Sequence, residues 1–362
     1  MRPILVVTPA TKFGSWAWIE KALAERPDQP AIVVSYGRSD TAPPNVRFVA
    51  LPVLIDYAAW GPRLAERRYL ALNLLYYAPL LPIAWWLAVR HRPSVLLANG
   101  VLPAAILGPL TMFGARLILA FHGSIGHVGG RWHATLRRVL RPVDVAFANS
   151  AGSADDLAHV LDRGRIQIVE HWADAVFFNT SLERAGGSPL RVLFVGRLDD
   201  EKFEQCLRVS ERLAEEGVIE LSAVGTGPLQ QALGRPGLNH LGYVSDKHRL
   251  AQIYAESDVV WAPADVTYVA IPGAEGLASG CPLIISARPA VFTHARDGLK
   301  VPRDIVPDGI GRVVDADDEA EATLRDWAAT GIDESVRRQC RAYATEHYSI
   351  DNIRRVADAL VP

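Results

Sequence analysis

Two cations stand five residues apart in the octapeptide VGRLDDEK (195–202): Arg197 and Lys202, placed where an apolar run ends and a helical pattern begins. A strand-to-helix turn leaves backbone N–H groups free and carries the positive end of a helix dipole. Two full charges at such a mouth suit a di-anion such as a pyrophosphate. The same cations could equally pair with the adjacent Asp199, Asp200 and Glu201, and the octapeptide alone leaves both readings open. The turn VGTGPL (224–229) comes next, and Gly225 and Gly227 would let a backbone approach a ligand closely. Glycine-rich turns are common, so this piece alone is weak. HLGYV (240–244) gives another strand end, with Val244 just past Gly242. In DVTYVAIPGAEGLASGCP (265–282), Glu275 stands alone among small residues. There is no Walker loop and no G-x-G-x-x-G after the first strand, which disfavours an NTPase or a dinucleotide oxidoreductase.

The elements that must position these residues alternate along the chain. PILVVT, AIVVSY, SVLLA, RLILAF and DVAFA read as buried parallel strands in the first half, and RVLFVG, IELSAVG, DVVWAP and PLIIS in the second. Helical patterns lie between them. Over 202–216, Phe203, Cys206, Leu207 and Leu213 make one apolar face, and Gly217 stands where a C-cap would. SADD (153–156) has the form of a capping box opening another helix. This alternation predicts an α/β protein with two Rossmann-like doubly wound domains. The expected boundaries are 1–178, a polar linker at 179–189, a second domain at 190–345, and a terminal helix within 346–362 packing back on the first domain.

At 362 residues, with 49% hydrophobic and 22% charged, the chain has a normal globular balance for two domains. Cys206, Cys281 and Cys340 show no metal or disulfide spacing, which suits a reducing cytoplasm. The start reads as a first strand rather than a signal peptide. Residues 1–180 carry 18 Lys/Arg against 12 Asp/Glu, and 181–362 carry 20 against 28. The overall balance argues against a nucleic-acid partner, while a basic first half could face an anionic membrane or simply be uneven surface charge. Residues 69–89 hold no charge and are flanked by Arg67, Arg68, Arg90 and Arg92. Pro79, Pro82 and Asn73 count against a membrane span. A buried helix, or an interfacial element using Tyr76, Tyr77, Trp85 and Trp86, remains.

The order G-R-L-x-x-x-K, G-x-G-P-L, L-G-Y-V, a strand ending in Ala-Pro, and P-x-x-E-x-x-x-x-G-x-P resembles the retaining glycosyltransferases of the GT-B, family 4 type. AFHGS, FANS, VEHWADAVF and HYSIDNIRR extend the resemblance over most of the chain. It implies a nucleotide-sugar donor as substrate, no cofactor and no metal. Arg197 and Lys202 would hold the diphosphate, and Glu275 would accept hydrogen bonds from the ribose hydroxyls, which suits a carboxylate with two acceptor oxygens. Gly14 lies in the first strand–helix loop, where the family presents backbone to phosphate and acceptor. His122 matches a histidine that reaches the donor sugar, although a histidine after an apolar strand is by itself more often structural. Gly225, Val244, Thr267, Ala270 and Ile271 complete the implied donor site. The implied partners are the nucleotide-sugar and an acceptor glycan, lipid-linked glycan or small molecule, with peripheral contact to the inner face of a membrane.

The departures fall on the sugar side of that site. Thr267 stands where the family has its first motif glutamate, Tyr268-Val269-Ala270 replaces Gly-Phe-Gly, and Trp172 replaces a turn glycine. The expected consequence is an unusual donor sugar, such as an amino, deoxy or pentose sugar, or lost activity. The alternatives are therefore a catalytically idle GT-B protein partnering another transferase and, less favoured, an epimerase or phosphorylase-like enzyme.

Overall fold

The computed structural model describes residues 1–10, 14–52, 75–122, 132–182, 189–199, 202–262, 269–287 and 303–361. Two α/β units result. The first comprises Met1–Glu170 with Asp351–Pro362, and the second His171–Ile350. The boundary falls eight residues before the expected 178. Ala173 and Phe177 are the reason, since both are buried in the core of the second unit with Tyr254 and Leu277.

In the first unit, β1 (Ile4–Ala10), β2 (Ala31–Tyr36), β3 (Val46–Leu51), β4 (Val95–Asn99), β5 (Arg116–Phe121), β6 (Val143–Ala148) and β7 (Ile166–Ile168) form one sheet in the order β3-β2-β1-β4-β5-β6-β7. Every pairing is parallel. The central strands are apolar throughout because both faces are covered. On one face α2 (Leu80–His91), α3 (Val101–Leu107), α4 (His133–Leu140) and α5 (Ala151–Ala158) share a core with Leu5, Leu96, Leu117 and Ala146. α1 (Gly14–Ala24) precedes them in the chain. Ser150 rather than Ser153 caps α5, its hydroxyl accepting from the Ser153 N–H at 3.0 Å. That moves the start of this helix forward from the expected SADD.

In the second unit, β8 (Leu190–Val195), β9 (Ile219–Val224), β10 (Leu238–Gly242), β11 (Val259–Ala262), β12 (Leu283–Ser286) and β13 (Gly311–Val314) run in the order β10-β9-β8-β11-β12-β13, again all parallel. Its helices are α6 (Ala175–Phe178), α7 (Glu204–Glu215), α8 (Lys247–Glu256), α9 (Ile271–Ala278), α10 (Asp317–Thr330) and α11 (Glu334–His347). α7 buries Cys206, Leu207, Val209 and Leu213, and Gly217 follows at φ 71° as the left-handed residue that ends it.

The last helix, α12 (Asp351–Ala359), belongs to the first unit and packs on α1. Arg26 donates to the Ala357 carbonyl at 3.2 Å and pairs with Asp358, and Arg354 lies 3.6 Å from Glu25. Among the described residues no helix is long and apolar enough to cross a membrane. Within 69–89, residues 80–89 fold as part of α2, and the described residues 75–79 precede it. One face, with Leu80, Ala84, Leu87 and Ala88, is buried, and the other, with Trp85 and Trp86, is exposed. Residues 69–74 lie outside the described residues.

Candidate functional site

In the second sheet the chain runs outward from β8 in one direction and from β11 in the other. The crevice between the carboxyl ends of β8 and β11 is therefore the topological switch point, where open α/β sheets place their ligands. The turn holding Arg197 follows β8, and α9 with Glu275 follows β11. The sequence-predicted residues of this half thus converge on one end of one sheet: Arg197 and Lys202 after β8, Gly225 after β9, Val244 after β10, and Ala270, Ile271 and Glu275 around α9. Thr267 lies outside the described residues.

The glycines are required by backbone packing. A Cβ at Gly225 would lie 1.8 Å from the Gly196 carbonyl oxygen, and one at Gly227 would lie 2.3 Å from that of Leu198. The two turns are laced together by the Gly196 N–H donating to the Val224 carbonyl, Leu198 to Thr226, and Leu229 to Leu198, each at 3.0 Å. So the close approach that these glycines permit is between the two turns themselves. Arg197 projects from this rigid pair, exposed, with Asp199 at 3.1 Å. Asp199 also accepts from the backbone N–H of Lys202 at 3.1 Å. The pairing with a neighbouring acid that the octapeptide allowed is therefore present at Arg197. A surface pair of this kind holds little free energy and yields readily to a doubly charged ligand.

α9 sits hard against the sheet because it is built of small residues. A Cβ at Gly276 would meet Val260 at 2.9 Å, and one at Gly273 would meet Val269 at 2.6 Å. Pro272 occupies its first turn, where a missing N–H costs nothing. Gly280 closes it at φ 82°, with the Cys281 N–H donating back to the Gly276 carbonyl at 2.9 Å. Glu275 is carried into the interior by this packing and is only 3% exposed.

A buried carboxylate needs partners. Lys247, the first residue of α8, places its Nζ 2.9 Å from Glu275 Oε1. The Tyr254 hydroxyl lies 3.1 Å from both Glu275 Oε2 and the Pro272 carbonyl, and can donate to one of them at a time. Burial pushes the Glu275 carboxyl above its ordinary value, outweighing the pull of Lys247 and Tyr254. Lys247 is half exposed, with Asp174 at 4.0 Å and the Phe177 ring 5.4 Å from its Nζ. Burial lowers its pKa, but Glu275 and Asp174 overcome that and hold it above the usual lysine value. Each oxygen of Glu275 keeps a second lone-pair direction for a further donor. Lys247, Tyr254 and Asp174 were missed in the sequence. Lys247 is 28 residues from Glu275, and no local spacing signals that contact.

In the first unit, Gly14 opens α1 at the carboxyl end of β1, and His122 directly follows β5. The His122 ring meets the edge of Trp18, a buried residue of α1, with centroids 4.9 Å apart. Aromatic packing thus fixes the orientation of the imidazole.

Residues 189–319 match the family described as glycosyl transferases group 1. Over 133 residues the chain is 29% identical to the GDP-mannose-dependent alpha-(1-6)-phosphatidylinositol dimannoside mannosyltransferase of Mycobacterium tuberculosis. That stretch is 34% of this chain and 31% of the relative, so the match spans about a third of either protein. Whole-chain likeness comes from solved structures. HepE of Anabaena in complex with UDP has a TM-score of 0.71 at 15% identity over 99% of both chains. Sucrose-phosphate synthase from Thermosynechococcus elongatus has 0.69 at 16%, covering 99% of this chain and 98% of that one. WaaG, a glycosyltransferase involved in lipopolysaccharide biosynthesis, has 0.67 at 13% over 99% of both. The fold is the GT-B fold.

Proposed function

We propose that this chain, a GT-B protein whose second unit carries a group 1 glycosyl transferase domain, moves a hexosyl or pentosyl unit from a nucleotide-sugar to an acceptor hydroxyl with retention. The observation that carries this reading is the pairing at the switch point of the second sheet. There, a buried carboxylate, Glu275, stands on one side and an exposed cation, Arg197, on the other. Ribose hydroxyls are the donors that the carboxylate lacks, and a diphosphate is the ligand that would draw Arg197 from Asp199. Lys202 would add a second positive charge at the opening of α7. Charge grows on the leaving diphosphate as the glycosyl bond breaks, so fixed cations there lower the barrier without a metal ion. A β-phosphate oxygen held near the acceptor hydroxyl can take its proton in a front-face substitution, with the protein supplying orientation. The acceptor is proposed to be a lipid-linked or polysaccharide-precursor glycan.

A second reading is favoured by one observation. Thr267 replaces a carboxylate on the sugar side, so a protein that binds nucleotide without turnover remains consistent with the same site. A donor panel separates them. Purified protein is titrated with nucleoside diphosphates and then incubated with their sugars, including UDP-glucose, GDP-mannose, and amino, deoxy and pentose donors, with and without EDTA. The transferase reading expects diphosphate binding, donor consumption for at least one sugar, and no effect of EDTA. Tight diphosphate binding with no consumption of any donor would support the idle protein. Strict dependence on a divalent cation would overturn the metal-free mechanism.

A further inference from the structure

Lys247 stands where local rules disfavour it. It is the first residue of α8, at the positive end of the helix dipole, and the first turn of that helix holds no acidic residue. Asp246 caps the helix ahead of it, accepting from the His248 N–H at 2.9 Å. A cation at this position costs local stability, and departures of this kind gather at functional sites. What Lys247 gains is tertiary. Its Nζ lies 2.9 Å from Glu275 on α9, 4.0 Å from Asp174 ahead of α6, and 5.4 Å from the ring of Phe177 in α6. The three helices α6, α8 and α9 pack on one another, so one ammonium joins all of them.

The other surroundings of Glu275 do little to hold a charge there. Asp174 is a second carboxylate on the same lysine and repels Glu275. β11 and β12 bring only uncharged side chains to α9. From α11, Arg341 reaches α9 one turn further on, donating to the Ala278 carbonyl at 2.9 Å. The Tyr254 hydroxyl offers one proton, shared between Glu275 and the Pro272 carbonyl. The Cys281 thiol donates to the Tyr254 carbonyl at 3.3 Å, and Tyr243, just past β10, acts on Lys247. Among the described residues, Lys247 is thus the cation paired with Glu275.

We propose that Lys247 is a positioning residue of the donor site, holding Glu275 as an oriented and ionised acceptor for the ribose. This role rests on the reading of Glu275 as the ribose acceptor. An ionised carboxylate accepts with both oxygens, and its hydrogen bonds are roughly twice as strong as neutral ones. A protonated carboxyl spends one oxygen as a donor and no longer matches a vicinal diol. Buried beside Asp174 without its cation, Glu275 would take up a proton. Removal of Lys247 therefore moves the loss of ribose recognition to higher pH, because proton uptake by Glu275 competes with the diol.

The full chain and its Lys247→Met and Lys247→Arg variants are titrated calorimetrically with UDP and GDP and with their 2′,3′-dideoxy counterparts, from about pH 6 to about pH 9.5. The ratio of ribo to dideoxy affinity is the readout. Protonation of the diphosphate and any general loosening of the site act on both ligands alike and leave that ratio unchanged. Wild type is expected to prefer the ribonucleotide at neutral pH. Lys247→Met is expected to lower the preference about five- to tenfold there, the difference between a charged and a neutral hydrogen bond. It is expected to regain the preference as pH rises through the higher pKa of its Glu275. Lys247→Arg keeps a cation and is expected to keep most of the preference. A wild-type preference that Lys247→Met retains in full at every pH overturns the role of Lys247 and leaves the ribose reading standing. A loss that alkaline pH does not restore, or one of equal size in Lys247→Arg, also overturns it, by making Lys247 a structural support. Wild type that binds neither ribonucleotide, or binds ribo and dideoxy forms alike, overturns the ribose reading and this role together.

Discussion

Among its described residues the second unit buries two carboxylates, at opposite ends of one sheet. Asp258 precedes β11 at the amino end, and Glu275 sits on the helix that follows the carboxyl end. Asp258 is saturated. It accepts from Arg191 Nε and Nη2, from the Arg191 backbone N–H and from Arg337 Nη2, each at 3.0 Å. Burial would raise its pKa, but Arg191 and Arg337 overcome this and hold it below the ordinary value. Glu275 has one half-exposed lysine and one phenol, and its pKa lies above the ordinary value. Full saturation by guanidinium groups makes a clamp between β8, β11 and α11. Partial satisfaction beside a solvent-accessible lysine leaves acceptor capacity for a ligand.

The largest effect that could break this contrast is on stability. Asp258→Ala leaves the buried Arg337 guanidinium without its carboxylate, and removal of one partner of such a pair costs about 3–5 kcal/mol. Urea denaturation should show that loss, while the variant protein that remains folded binds nucleoside diphosphate as the wild type does. A loss confined to nucleotide binding would reverse the two assignments. Next in size, Arg197→Ala should cut turnover by about 10²–10³ with little change in urea midpoint. Unchanged turnover would reduce Arg197 to a surface partner of Asp199.

A pH series sharpens the contrast through opposite signs. The Asp258 pKa is depressed by folding, so its contribution to stability is present above the ordinary carboxylate value of 3.8 and lost as pH falls below it. The Glu275 pKa is raised by folding, so its contribution is greatest below its ordinary 4.5 and shrinks as pH rises through the folded value. Asp258→Asn should therefore flatten the acid limb of the stability curve, and Glu275→Gln should lift stability on the neutral side of that limb. Parallel shifts in the two variants would contradict the opposed environments. Lys247→Met should cost less stability than Asp258→Ala, because the lysine is half exposed and the buried Glu275 carboxyl, its pKa already raised, can take up a proton when its cation is lost. A larger loss would make Lys247 part of the fold rather than of the site.

The nine central strands were legible because strands covered on both faces are continuous apolar runs. β3, β7 and β13 were not. They are sheet edges, short or half exposed, and Arg47, Gln167 and Arg312 interrupt their pattern. The domain boundary was misplaced because a Gly/Pro-bearing stretch looks like a linker, whereas Phe177 is assigned only by what it packs against. In the site, Glu275 and Arg197 could be singled out from local motifs. Lys247 and Tyr254 could not, because the contacts that matter join two helices. The paired glycines 225 and 227 were expected to let a backbone approach a ligand closely, but the partner the structure gives them is the neighbouring turn, which only tertiary structure identifies.

The central claim is that Glu275 receives the ribose of a nucleotide. The most direct measurement is calorimetric titration of wild type and Glu275→Gln with a nucleoside diphosphate and its 2′,3′-dideoxy counterpart. A hydrogen bond to a charged group contributes about 1.5–3 kcal/mol, so wild type should prefer the ribonucleotide by about ten- to a hundredfold. The preference should collapse towards unity in Glu275→Gln. A preference of equal size in both proteins would contradict the account.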